Sequence, residues 1–192
     1  MDEQHIVSIL IVVFSISEPV RSISSSHKSF LESHRPFATY NVSLFMNTTE
    51  RIWTLNSTQN SSVWCRNDEV ANTTSNKVYF NRSFIDGGGR WVIQEYEGEL
   101  VNVIPSIMLV GLQGTDASTI EQLVYASAAY DCGVFSVLKL NVPLGFPAEE
   151  WYDLRVRNSS ISNFTQKCKD QFNTAVKQKP TITIYNDTCQ SL

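Results

Sequence analysis

Between residues 37 and 156, short stretches rich in β-branched and aromatic residues follow one another at near-regular spacing, and this series limits the fold more than any other feature. Strands are expected over 37–46, 62–66, 77–85, 90–96, 100–111, 120–126, 132–140 and 151–156. Gly87, Gly88 and Gly89 make a turn where positive φ costs nothing, so 77–85 and 90–96 pair as a hairpin. Eight short antiparallel strands close into a barrel or stack as a sandwich. After Ser160 the period changes. Ile161, Phe164, Cys168, Phe172, Ala175 and Val176 recur at three- and four-residue steps, the apolar stripe of a helix over 160–178 that Pro180 stops. A last strand-like piece covers 181–185. The expected architecture is all-β: an eight-stranded antiparallel barrel within 37–192, with the C-terminal α-helix packed outside and the tail tied back. Such a barrel has room for its own side chains or for one small ligand.

Residues 6–16 form an apolar run broken only by Ser8 and Ser15, too short to span a bilayer and of the length of a signal-peptide core. Ser15 and Ser17 suit cleavage after Ser17. Residues 1–17 therefore read as a signal peptide, and the Ser-rich stretch 18–36 as a lead-in with a short helical turn near Phe30. Asp2 and Glu3 replace the usual positive charges, and an N-terminal anchor is the competing reading. Asn41, Asn47, Asn56, Asn60, Asn72, Asn81, Asn158, Asn163 and Asn186 each have Ser or Thr two positions on with no proline between. These are nine of the 14 asparagines, and with 37 Ser and Thr in 192 residues chance supplies about three. The expectation is a secreted glycoprotein whose sequons face water.

Cys65, Cys132, Cys168 and Cys189 give an even count, which in an exported chain reads as two disulfides in any of three pairings. Metal binding fails on spacing, because no two cysteines are close and neither His27 nor His34 lies near one. Net charge is −4, or −2 once Asp2 and Glu3 leave with the leader, and no basic cluster is present for nucleic acid. Catalysis is not expected. There is no nucleophile motif, the two remaining histidines sit in the lead-in, and Glu149 and Glu150, adjacent on a strand, point to opposite faces and read as solvated charges. No cofactor is implied.

The strand opening Cys132-Gly133-Val134-Phe135-Ser136-Val137, the strand with Tyr152-Asp153-Leu154, a helix carrying Cys168 ahead of Phe172, and Cys189 just before the C-terminus together resemble the tick salivary lipocalins, a family that includes histamine-binding proteins. The likeness covers most of 37–189 and is specific in its last third; 40–65 matches the family's first two strands loosely. The resemblance implies the pairs Cys65–Cys189 and Cys132–Cys168, which would tie down the tail and pin the helix to the barrel. It also implies a monomer secreted in saliva that binds a small host molecule.

The amine-binding members resemble one another in an acid after the second cysteine and an acid and aromatic on the Tyr-acidic-Leu strand. A protonated amine needs a fixed counter-charge when it leaves water. Those positions are Gly133, Asp153 and Arg155 here, so if they face inward the interior has lost a negative charge and gained a positive one. That is a poor amine site. Phe135, Val137 and either Trp91 or Tyr96 would suit an apolar body, and Arg155 a carboxylate, as in a fatty acid or lipid mediator. A neutral sterol is a further ligand implied by some branches. Against this, Asp153 and Arg155 could pair with each other, or Arg155 could face solvent. The alternative function is binding of a host immune protein through the outer surface, where 82–157 is free of sequons.

Overall fold

The computed structural model describes residues 40–143 and 146–192. The leader, the lead-in and both of its histidines lie outside these residues. The chain opens with helix α1 (Val42–Met46), followed by strands β1 (Ile52–Ser57), β2 (Trp64–Thr73), β3 (Lys77–Ile85), β4 (Trp91–Leu100), β5 (Ile107–Leu112), β6 (Thr119–Ala126), β7 (Cys132–Lys139) and β8 (Glu150–Arg157). A 3-10 turn (Asn158–Ser160), helix α2 (Gln166–Val176), strand β9 (Ile182–Thr183) and a second 3-10 turn (Asp187–Ser191) complete it. Strands β2 to β8 pair antiparallel in order. β1 pairs with both β8 and β2, which closes an eight-stranded barrel, and β9 adds beside β1.

The strand count of eight is right, but its first member is not the one expected. Residues 42–46 are helical because Val42, Phe45 and Met46 recur at i, i+3 and i+4, a helical stripe hidden in a β-rich composition. Asn41 caps this helix, its side chain accepting from the Ser43 N–H. The first strand is Ile52–Ser57, a stretch with polar neighbours on both sides that composition alone did not single out. Strand β2 runs seven residues past 66, to Thr73, and β5 begins only at Ile107, since residues 101–106 turn at Pro105. Helix α2 is shorter than 160–178. It ends at Val176, ahead of Pro180, where Lys177 adopts φ +54°.

Two apolar clusters form on the two faces of the same strands. Val134, Leu154, Val156 and Trp53 point outward and are covered by Cys168, Phe172 and Val176 of α2. Phe135, Val137, Leu123, Met108 and Phe80 point inward, where Phe45 and Met46 of α1 fill one end of the barrel. The disulfides join Cys132 to Cys168, fastening α2 to β7, and Cys65 to Cys189, fastening the tail to β2. This is the pairing implied by the family resemblance. No helix among the described residues is long and apolar enough to cross a membrane.

Candidate functional site

Six charged side chains meet inside the barrel. Their positions follow from strand alternation: Arg66 and Asp68 are two apart on β2, and Asp153 and Arg155 two apart on β8, with Arg82 on β3 and Glu121 on β6. Arg66 donates to Asp153 at 2.6 Å, and Arg155 donates to Asp153 at 3.0 Å and to Glu121 at 2.5 Å. Arg82 donates to Glu121 at 2.9 Å and forks onto both Asp68 oxygens at 2.7 and 2.9 Å. Asp68 lies 3.7 Å from Arg155, closing the set. Three guanidinium groups and three carboxylates alternate, so the cluster is neutral.

Neutrality at short range is what keeps these groups charged out of water. Burial opposes ionisation of Glu121, but Arg155 and Arg82 override it and hold its carboxyl far below the usual range. Asp153 is likewise lowered: burial pushes up, and Arg66 and Arg155 pull down further. Arg66 is the least compensated member, with burial pulling its pKa down more than Asp153 raises it.

The cluster divides the interior. On the closed side, the Arg155 guanidinium lies 4.3 Å from the centre of the Phe135 ring, and Phe135 meets Phe45 of α1 edge-on at 5.0 Å. Gly133 sits in this filled half. A Cβ there would lie 2.8 Å from Phe45 and 2.9 Å from Leu123, so the position where the amine binders place an acid has no room for a side chain. On the open side, a cavity of about 240 Å³ leads to the barrel mouth. Arg66 and Arg82 line it with Val63, Phe84, Tyr96 and Trp151, and its lining includes no carboxylate.

Hydrogen-bonding capacity is left over at this cavity. Arg66 uses one N–H on each nitrogen, toward Thr54, Gln59 and Asp153, so each terminal nitrogen retains another. Trp151 is 8% exposed, and its Nε1 has no partner among the described residues; nor does Ser61 Oγ in the same wall.

The sequence-derived site residues fall on four locations. Tyr96 lines the mouth cavity, its ring stacked on Phe80 at 5.8 Å. Val137 and Phe135 face inward as expected but are packed in the core, at 1% and 0% exposure. Trp91 is a correction: it stands on the outer face, 37% exposed, because residues five apart on one strand point to opposite sides and Tyr96 takes the inside. Asp153 and Arg155 are both interior, yet pair with each other, so Arg155 is sealed beneath the cluster and is not free for a ligand carboxylate. Arg66 and Arg82 occupy the place expected of Arg155. The signal that could have found Arg82 is its spacing, a charge at the period-2 position between Phe80 and Phe84.

No family model and no curated protein matches the sequence. Solved structures match the fold. A serotonin complex of AM182 superposes with a TM-score of 0.58 at 16% identity, covering 81% of this chain and 96% of that one. Apocrustacyanin C2 gives 0.57 at 10% identity, over 88% and 90%. Japanin from Rhipicephalus appendiculatus bound to cholesterol gives 0.52 at 11% identity, over 74% and 96%. The closed antiparallel barrel with its helix outside, plugged at one end and open at the other, is the lipocalin fold.

Proposed function

We propose that this chain is a secreted binding protein that captures a small acidic molecule at the barrel mouth. One observation carries the reading: the cavity is walled by two arginines, by Val63, Phe84, Tyr96 and Trp151, and by the neutral polar side chains of Gln59, Ser61, Gln94, Ser118 and Thr119, with no carboxylate among its lining residues. A fatty acid or a lipid mediator has the matching chemistry, an apolar body with an anionic acceptor. An amine such as the serotonin held by AM182 would meet guanidinium groups and no free counter-charge. A sterol such as the cholesterol held by Japanin has no anionic group for the arginines. The family likeness and the nine sequons, none of whose asparagines is buried, support release in saliva and sequestration of a host mediator. Native mass spectrometry of protein from eukaryotic culture, offered fatty acids, eicosanoids, sterols and amines, should show acid adducts only. Arg66→Gln should weaken those adducts about tenfold or more; retention of amines or sterols but not acids would defeat the proposal.

A second reading has its own observation. Trp64, Ile85 and Trp91 lie in cross-strand register on the outer face, with Ile93 beside them at 60% exposure. This apolar patch borders the sequon-free stretch 82–157 and suits a host protein surface. Ile93→Glu would abolish such an interaction in a serum pull-down while leaving acid adducts intact.

A further inference from the structure

Two of the nine sequons have an aromatic residue two positions before their asparagine: Phe45 before Asn47, and Tyr79 before Asn81. Phe45 packs into the closed end of the barrel and is fully buried. Tyr79 is not. Along β3, Val78, Phe80, Arg82 and Phe84 point inward, so Tyr79 and Asn81 share the outer face, about 7 Å apart along the strand. The strand is paired on both sides, with Glu69 and Glu95 opposite Asn81, and Asn72 and Glu97 opposite Tyr79. The half-buried Tyr79 ring stacks on no other aromatic among the described residues. Instead Tyr79 and Asn81 border an open hollow of about 590 Å³ on the outer wall, with the polar side chains of Asn72, Thr74, Glu95 and Gln113 around it.

We propose that the first N-acetylglucosamine of a glycan on Asn81 lies flat against the Tyr79 ring and forms a structural part of the barrel wall. One face of that β-linked sugar carries a row of axial C–H bonds, whose partial positive charge suits the negative face of an aromatic ring. Its hydroxyl and acetamide groups meet a hollow bordered by amide, hydroxyl and carboxylate side chains. The inference rests on the reading of the chain as an exported glycoprotein and adds the seat of one sugar. Asn72 reaches the same hollow from β2 and is the competing point of attachment.

A double-mutant cycle between Tyr79→Ser and Asn81→Gln, made in glycoprotein from eukaryotic culture and read from urea unfolding, tests the contact. Tyr79→Ser should lower the folded-to-unfolded ratio about fivefold more in the parent than in the Asn81→Gln background, the size of one aromatic contact. Tyr79→Phe keeps the ring face and should show no such difference. The coupling should survive enzymatic trimming of every glycan to its first sugar, and it should survive Asn72→Gln. Additive losses, or coupling to Asn72 in place of Asn81, would overturn the proposal. Glycopeptide mass spectrometry separates its failure from that of the reading beneath it. Other sequons occupied with Asn81 bare would overturn this contact alone, whereas no occupied sequon would overturn the exported glycoprotein as well.

Discussion

Glu121→Gln should destabilise the protein by about 3–5 kcal/mol, read as a fall in the urea midpoint. Glu121 is completely buried and accepts from Arg82 and Arg155, so its neutral replacement leaves three interior cations facing two anions. The cost is that of an uncompensated charge, and the account makes a contrasting demand on the double replacement. Glu121→Met with Arg155→Met removes one charge of each sign and leaves Arg66–Asp153 and Arg82–Asp68 intact, so it should cost far less than the single change. A single variant as stable as the parent would mean the six charges are not coupled. The cluster also sets the acid limit. Glu121 and Asp153 have depressed folded pKa values, so their stabilisation is complete above the ordinary carboxylate pKa of about 4 and is lost as pH falls below it toward those values. The urea midpoint should stay level from about pH 8 to 5 and drop below about pH 4.

Breaking the Cys65–Cys189 bridge should have the other large effect. Its partners are 124 residues apart, and loop closure on that scale contributes about 5 kcal/mol, against about 4 kcal/mol for the 36-residue separation of Cys132–Cys168. Cys65→Ser with Cys189→Ser should therefore lower the thermal midpoint more than Cys132→Ser with Cys168→Ser. The tail has little else to hold it: β9 is two residues long, and Ile184 is its one fully buried apolar anchor besides Cys189. If the ranking reverses, the clamp on α2 matters more than loop closure implies, and packing under Phe172 becomes the dominant contribution.

Local pattern carried much of this fold. Strand β3 was legible to the residue, because 77–85 is bounded by turns on both sides, and β7 to within one, because it is a nearly continuous apolar run buried on both faces. The stripe of Cys168, Phe172 and Val176 identified α2 by spacing alone. The same spacing marks α1 at Val42, Phe45 and Met46, within a stretch whose aromatic and β-branched composition favours strand. The ion cluster could not be read so directly. Arg66 and Asp153 are 87 residues apart, and Arg155 and Glu121 are 34 apart, so only barrel closure brings them together. The pair Asp153 and Arg155, two apart on one strand, was visible, and so was the chance that each satisfies the other. What sequence could not show was which arginine stays in contact with the open mouth. That depends on Phe45 and Phe135 filling the far end beneath Arg155.

On the proposed reading the barrel is a shallow receptor with a charged base, and the sign of what it would accept follows from which members of that base line the opening. Arg66 and Arg82 reach the cavity, while Asp68, Glu121 and Asp153 do not line it. Octanoate and octylamine share a tail and differ in head charge, so titrating both into the same glycoprotein at pH 7 isolates that point. Octanoate should bind and octylamine should not; saturable binding of the amine with none of the acid would contradict the account.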